Sequence, residues 1–217
     1  LLYQRGTPPQ STYLFKHALI QDTAYQSLLK SRRQQLHQQI AQVLEERFPE
    51  TTETQPELLA HHYTEAELIA HAIPYWQQAG QQALQRLANL EAVQHLTNGL
   101  TLLVVLPETP ARAQQELDLQ VALGPALVAT KGFAAPEVEQ TYARARALCA
   151  HVGETPQLFS TLRGLCRFYQ SRGVLQTARE LAEQCLSLAR RAQDSALLLQ
   201  AHHAQWTTSF FLGEFGL

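Results

Sequence analysis

The sequence predicts an all-α protein, a right-handed α-solenoid of stacked helical hairpins preceded by one short β-hairpin. Apolar residues recur at helical spacing through nearly all of residues 56–217. A turn between two such helices repeats after forty residues, so that Gly173-Val174-Leu175 aligns with Gly213-Glu214-Phe215. Small residues (Ala178, Ala182 and Cys185) stand on one face of the helix that follows Gly173, where a partner helix must come close. A hairpin that recurs at a fixed interval buries its face only against the next hairpin, and a curved rod results.

In chain order, Leu2-Tyr3-Gln4-Arg5, Gly6-Thr7-Pro8-Pro9-Gln10 and Thr12-Tyr13-Leu14-Phe15 read as strand, turn and strand, the only β signal present. Helix follows from His17 to Leu29 and again from Arg32 to Phe48, where Leu36, Ile40, Val43 and Leu44 share a stripe. Pro49 to Gln55, rich in Thr and Glu, reads as a polar loop. Pro56 suits the first turn of the next helix, since its missing N–H has no partner there anyway. Helical pairs then follow at Ala72–Leu87 with Glu91–Leu106, and at Ala111–Ala129 with Pro136–Val152 across Lys131-Gly132-Phe133. A third pair, Leu158 to Ala192, is entered through Glu154-Thr155-Pro156, and Ser195 to Leu212 starts a fourth. The domain boundaries expected on this reading are 1–50 for the hairpin with its helices and 56–217 for the repeats.

The spacing of small residues resembles the tetratricopeptide unit, which places them at positions 8, 20 and 27 so that helices can nestle. With position 20 at Ala92, Gly80 falls at 8, Leu96 at 24 and Gly99 at 27. With position 20 at Ala178, Cys166 falls at 8, Ala182 at 24 and Cys185 at 27. The intermediate pair fits loosely, with Val138 at 20, Tyr142 at 24, Ala145 at 27 and Ala126 at 8. Unit spacings of 46 and 40 residues exceed the standard of about 34.

Composition narrows the function. Hydrophobic residues make up 45% of the 217, enough for a real core, and a net charge of −2 gives no global field toward nucleic acid or an anionic membrane. The longest apolar run, Leu100 to Leu106, ends at Pro107 and is far short of the ~20 residues of a membrane helix. Cys149, Cys166 and Cys185 occupy small-apolar positions in helices and read as reduced core cysteines of a cytoplasmic protein. Without an initial Met, and stopping just after the Gly213 turn, the chain reads as an internal piece of a larger polypeptide, truncated at its C-terminal end.

The first third carries a further resemblance. Phe15-Lys16-His17-Ala18-Leu19-Ile20-Gln21-Asp22-Thr23-Ala24-Tyr25, Arg32-Arg33, Leu36-His37 and Pro56-Glu57-Leu58-Leu59-Ala60-His61-His62-Tyr63, continued by Tyr75-Trp76-Gln77-Gln78-Ala79-Gly80, resemble bacterial signalling proteins built around a STAND-type ATPase. They are most similar to those that pair an AAA-like ATPase with a class III adenylate/guanylate cyclase domain. The resemblance implies a winged-helix segment over residues 1–50, with its wing at Leu2 to Phe15, and a tetratricopeptide-like superhelix after it. It also implies that the parent binds ATP. This stretch contains no Gly-x-x-x-x-Gly-Lys-Ser/Thr loop and no paired metal-binding aspartates, so it is expected to hold no cofactor and no catalytic residue.

The expected function is non-catalytic recognition and coupling: a protein partner, a small effector, or the upstream ATPase and cyclase domains of the same chain. Trp76, Phe168, Tyr169, Trp206 and Phe210 lie on the first helices of hairpins and are the candidate groove residues. Two alternatives remain: a small-molecule sensor in a STAND-type transcriptional regulator, and a DNA-binding winged helix. For the latter, Arg5, Lys16, Lys30, Arg32, Arg33 and Arg47 against Asp22, Glu45 and Glu46 make residues 1–48 locally +3. The only basic doublet of that stretch, Arg32-Arg33, reads as lying between two helices, so DNA is not the expected partner. His61 and Glu65, one helical turn apart, with His62 beside them, raise a metal site, but a further ligand would have to come from His71 on the next helix. His202-His203 has no carboxylate or thiol nearby in sequence, and no metal is expected at either place.

Overall fold

The computed structural model describes residues 2–7, 11–15, 18–152 and 156–214. Pro8-Pro9-Gln10 of the expected turn, Lys16 and His17, Glu154 and Thr155 of the expected inter-helix entry, and Phe215 lie outside the described residues. The described chain is helical apart from β1 (Leu2–Arg5) and β2 (Thr12–Phe15), which pair antiparallel with Leu2 opposite Phe15 and Arg5 opposite Thr12. It divides into two compact units, residues 1–68 and 69–217.

In the first unit the strands precede α1 (Ala18–Ser27), α2 (Lys30–Arg47), α3 (Pro49–Thr54) and α4 (Pro56–Glu65). The stretch expected to be a polar loop forms α3 instead. Pro49 starts it at a position where the missing N–H is harmless, and Thr54 Oγ1 donates back to the Glu50 carbonyl. Because α4 packs on both α2 and α3, the boundary between units falls after Leu68 rather than between residues 50 and 56.

The second unit contains α5 (Ile69–Gln85), α6 (Asn89–Leu103), α7 (Pro110–Lys131), α8 (Pro136–Val152), α9 (Gln157–Ser171), α10 (Leu175–Ala192) and α11 (Ser195–Leu212). Each helix packs on the next in sequence, and the odd-numbered ones also touch in succession: α5 on α7, α7 on α9, α9 on α11. One core runs the length of this unit, from Ile73 through Leu96, Leu119, Tyr142, Leu162 and Leu181 to Ala204. Ala92, Ala178 and Cys166, whose burial the repeat pattern demands, are fully buried. Cys166 Sγ lies 3.3 Å from the Ala178 carbonyl, so α9 and α10 meet nearly backbone to backbone there.

The turns at Leu87, Gly173 and Gly213 share one geometry, whereas α7 ends at Gly132 (φ +85°, ψ 163°) without it. Val174 N–H donates to the Tyr169 carbonyl at 2.9 Å around Gly173, whose φ is +74°. Forty residues on, Glu214 N–H donates to Ser209 at 3.0 Å around Gly213, with φ +76°. The same closure appears around Leu87 (φ +59°), where Ala88 N–H donates to Ala83 at 2.8 Å, and around Glu67 (φ +58°) at the end of the first unit. A left-handed residue lets the orphan carbonyls of a helix end find donors, and glycine adopts it most readily. Leu87 is exposed and adopts that conformation despite its Cβ, a strain of about 1 kcal/mol. Leu87→Gly is therefore expected to stabilise the chain by about 0.5–1 kcal/mol, read as a higher denaturant midpoint.

Candidate functional site

The candidate groove residues divide between core and surface. Trp76 is buried, its ring stacked on His95 with centroids 5.4 Å apart, and Phe168 is only 4% exposed. Both point into the helix interfaces, so they are core residues and not groove anchors. Tyr169 is half-buried and meets Phe168 edge-on at 5.1 Å, while its hydroxyl donates to Glu139 at 2.7 Å. That bond ties α9 to α8, and the resident carboxylate holds the Tyr169 phenol above its ordinary pKa.

Trp206 and Phe210 differ. They are 67% and 53% exposed, with rings 6.0 Å apart on one side of α11, and His203 and Phe211 flank them. They form one wall of a cleft of about 620 Å³ between α10 and α11. Ala182 and Thr208 lie at its base, and Glu183, His202 and the ion pair of Arg179 with Glu214 complete the rim. Forty residues before Trp206 and His202, α9 has Cys166 and Leu162, both of which are buried. A second cleft, of about 510 Å³, lies among α8, α9 and α10, with Leu158, Leu162 and Leu188 below Arg146, Gln184 and Arg191.

In the first unit the fold joins residues that are distant in sequence. His37 on α2 meets His62 on α4 with their Nδ1 atoms 2.8 Å apart. His37 Nε2 lies 3.0 Å from the Tyr25 hydroxyl, which in turn reaches Glu65 at 3.3 Å. The His61 ring crosses His37 edge-on at 5.8 Å. Burial, then the neighbouring His37 and His61, depress His62 to a pKa of about 4 against the pull of Glu65. Burial likewise lowers His37, with Glu65 opposing. The partner of His62 is thus His37, which no local pattern discloses; His71 belongs to the second unit. Among the described residues no group of three or more His, Cys, Asp or Glu is arranged to hold a metal ion.

Three basic residues of the first unit are engaged within it. Lys30 pairs with Glu67, Arg32 donates to Gln35, and Arg33 lies over the Tyr25 ring at 5.1 Å. The cysteines are buried, and burial pushes the Cys185 thiol up to about 12 and raises Cys166 as well, so both are protonated thiols at neutral pH. No helix among the described residues is long and apolar enough to cross a membrane.

No family model matches the chain. It is similar to an uncharacterized protein of Rhizobium meliloti (strain 1021), 28% identical over 208 residues. That alignment covers 95% of this chain and 20% of the relative, so the chain spans about a fifth of the length of the protein it matches.

Proposed function

We propose that this chain is a non-catalytic recognition and coupling module of tetratricopeptide-like architecture, working within a larger cytoplasmic bacterial signalling protein. On this reading the helical hairpins of the second unit stack as a right-handed solenoid, and the β1–β2 pair with its helices is the end of a winged-helix segment. The observation that carries it is the recurrence of one hairpin: the same left-handed closure at Leu87, Gly173 and Gly213, with successive odd-numbered helices in contact. The partner is a protein surface or the ATPase and cyclase regions of the same polypeptide. Trp206 and Phe210 are its anchors, because exposed aromatic rings bring large contact area at low entropy cost. The chain itself needs no cofactor; ATP belongs to the parent.

Trp206→Ala with Phe210→Ala is expected to weaken binding of a protein recovered on the immobilised chain at least tenfold, while leaving the melting temperature within about 2 °C. Undiminished binding by that variant would sink the assignment of these anchors. The cleft between α10 and α11 favours a second reading, a small-molecule sensor, since its volume of about 620 Å³ suits a metabolite. A metabolite screen by thermal shift tests it, because a ligand bound only by the folded state raises the melting temperature. A DNA-binding winged helix would instead retard duplex DNA in a steeply salt-dependent manner.

A further inference from the structure

We propose that the His37–His62 pair is a proton-operated latch between α2 and α4, closed when the two neutral rings have gained at most one added proton and forced open by a second. The argument rests on where hydrogens fit. Two imidazole nitrogens 2.8 Å apart require one hydrogen between them. With both rings neutral, His62 Nδ1–H donates to His37 Nδ1, His37 Nε2–H donates to the Tyr25 oxygen, and the Tyr25 hydroxyl donates to Glu65. Every contact of the chain is satisfied in that direction. A first added proton goes to the bare Nε2 of His62 and disturbs none of these bonds. A second must sit on His37 Nδ1, the atom that accepts from His62. Two N–H groups then face each other across the same gap, between two cationic rings, and the contact cannot persist.

The surroundings set the pH window. From α1 the Tyr25 phenol faces the pair; from α2, Arg33 lies above that phenol; from α4, His61 and Glu65 adjoin it. Farther along, Lys30 is paired with Glu67, and α3 presents Glu50 and Glu53 to solvent. Among the described residues Glu65 is the anion in contact with this chain of bonds, and it balances one added charge, not two. His62 is held near 4 and His37 also below its ordinary 6.5, so the unfolded or opened state binds protons more readily than the closed one. The latch is therefore whole above about pH 6.5 and loses strength as pH falls toward about 4.

The test uses the 217-residue chain. Amide hydrogen exchange of α2 and α4, corrected for intrinsic rates, is compared at pH 7.5 and 4.5 with that of α9 and α10, which contain no histidine. Exchange in α2 and α4 is expected to rise about tenfold relative to the reference helices on acidification, and the rise should shrink in His37→Phe, which keeps a ring at position 37 but leaves His62 alone to take up a proton. Ring titration by NMR of the unmodified chain gives an independent reading should that variant fold poorly: two separated steps for His37 and His62 support the latch. Independent titration of both rings near 6.5, equal exchange at the two pH values, or an acid response undiminished in His37→Phe would overturn it.

Discussion

Replacing Leu96 by Ala lowers the stability of the second unit by about 2–5 kcal/mol, read as a fall in the denaturant midpoint. Leu96 on α6 is fully buried, and its branch lies against the backbone of Gly80 on α5. A Cβ built on Gly80 would stand 2.5 Å from Leu96 Cγ, so the two residues fill one space. Truncating Leu96 leaves that space empty, and neighbours on two packed helices relax only partly into it. Gly80→Ala on its own overpacks the site. Placed in the Leu96→Ala background, the same methyl enters the vacated volume, and part of the lost stability returns. Additive losses in the double variant would show that the two positions do not share a cavity.

Gly164→Ala is expected to cost about 1–2 kcal/mol, although alanine is the better helix former by roughly 0.8–1.0 kcal/mol. The Tyr142 ring on α8 lies between α7 and α9, with Gly124 on one side and Gly164 on the other. A Cβ on Gly164 would come within 2.4 Å of Tyr142 Cζ, and one on Gly124 within 2.3 Å. The ring cannot retreat from either without meeting the other helix. Burial also pushes the Tyr142 phenol up to about 12, in keeping with a ring sealed from solvent. Tyr142→Leu should lose stability in the parent chain and yet tolerate Gly164→Ala, so the two changes couple in a double-mutant cycle. A Gly164→Ala chain as stable as the parent would mean that the ring moves freely.

These sites also mark how far the sequence could be read. The small residues at Ala92, Cys166 and Ala178 were legible because helix approach constrains side-chain size at fixed intervals, and each is buried. The turns at Gly173 and Gly213 were legible because glycine announces a left-handed backbone. Leu87 makes the same turn without that signal, so the first hairpin's end is clear only in three dimensions. The helix at Pro49–Thr54 is not legible because Thr51, Thr52 and Thr54 carry weak helical preference, and packing on α2 and α4 outweighs it. Trp76 and Phe168 were placed in a groove because a hairpin's first helix has more than one apolar side, and periodicity does not say which of them meets another helix. His37 was not paired with His62 since their meeting depends on how α2 crosses α4, a relation no local pattern encodes.

The Tyr142 wedge has a mechanical consequence. A phenol ring seated against glycine backbone on both sides gives three consecutive helices almost no room to slide, so this junction acts as a stiff hub. Compliance must then reside elsewhere, at contacts made by side chains that can change rotamer. Any flexing along the second unit therefore pivots around α7, α8 and α9 as one block.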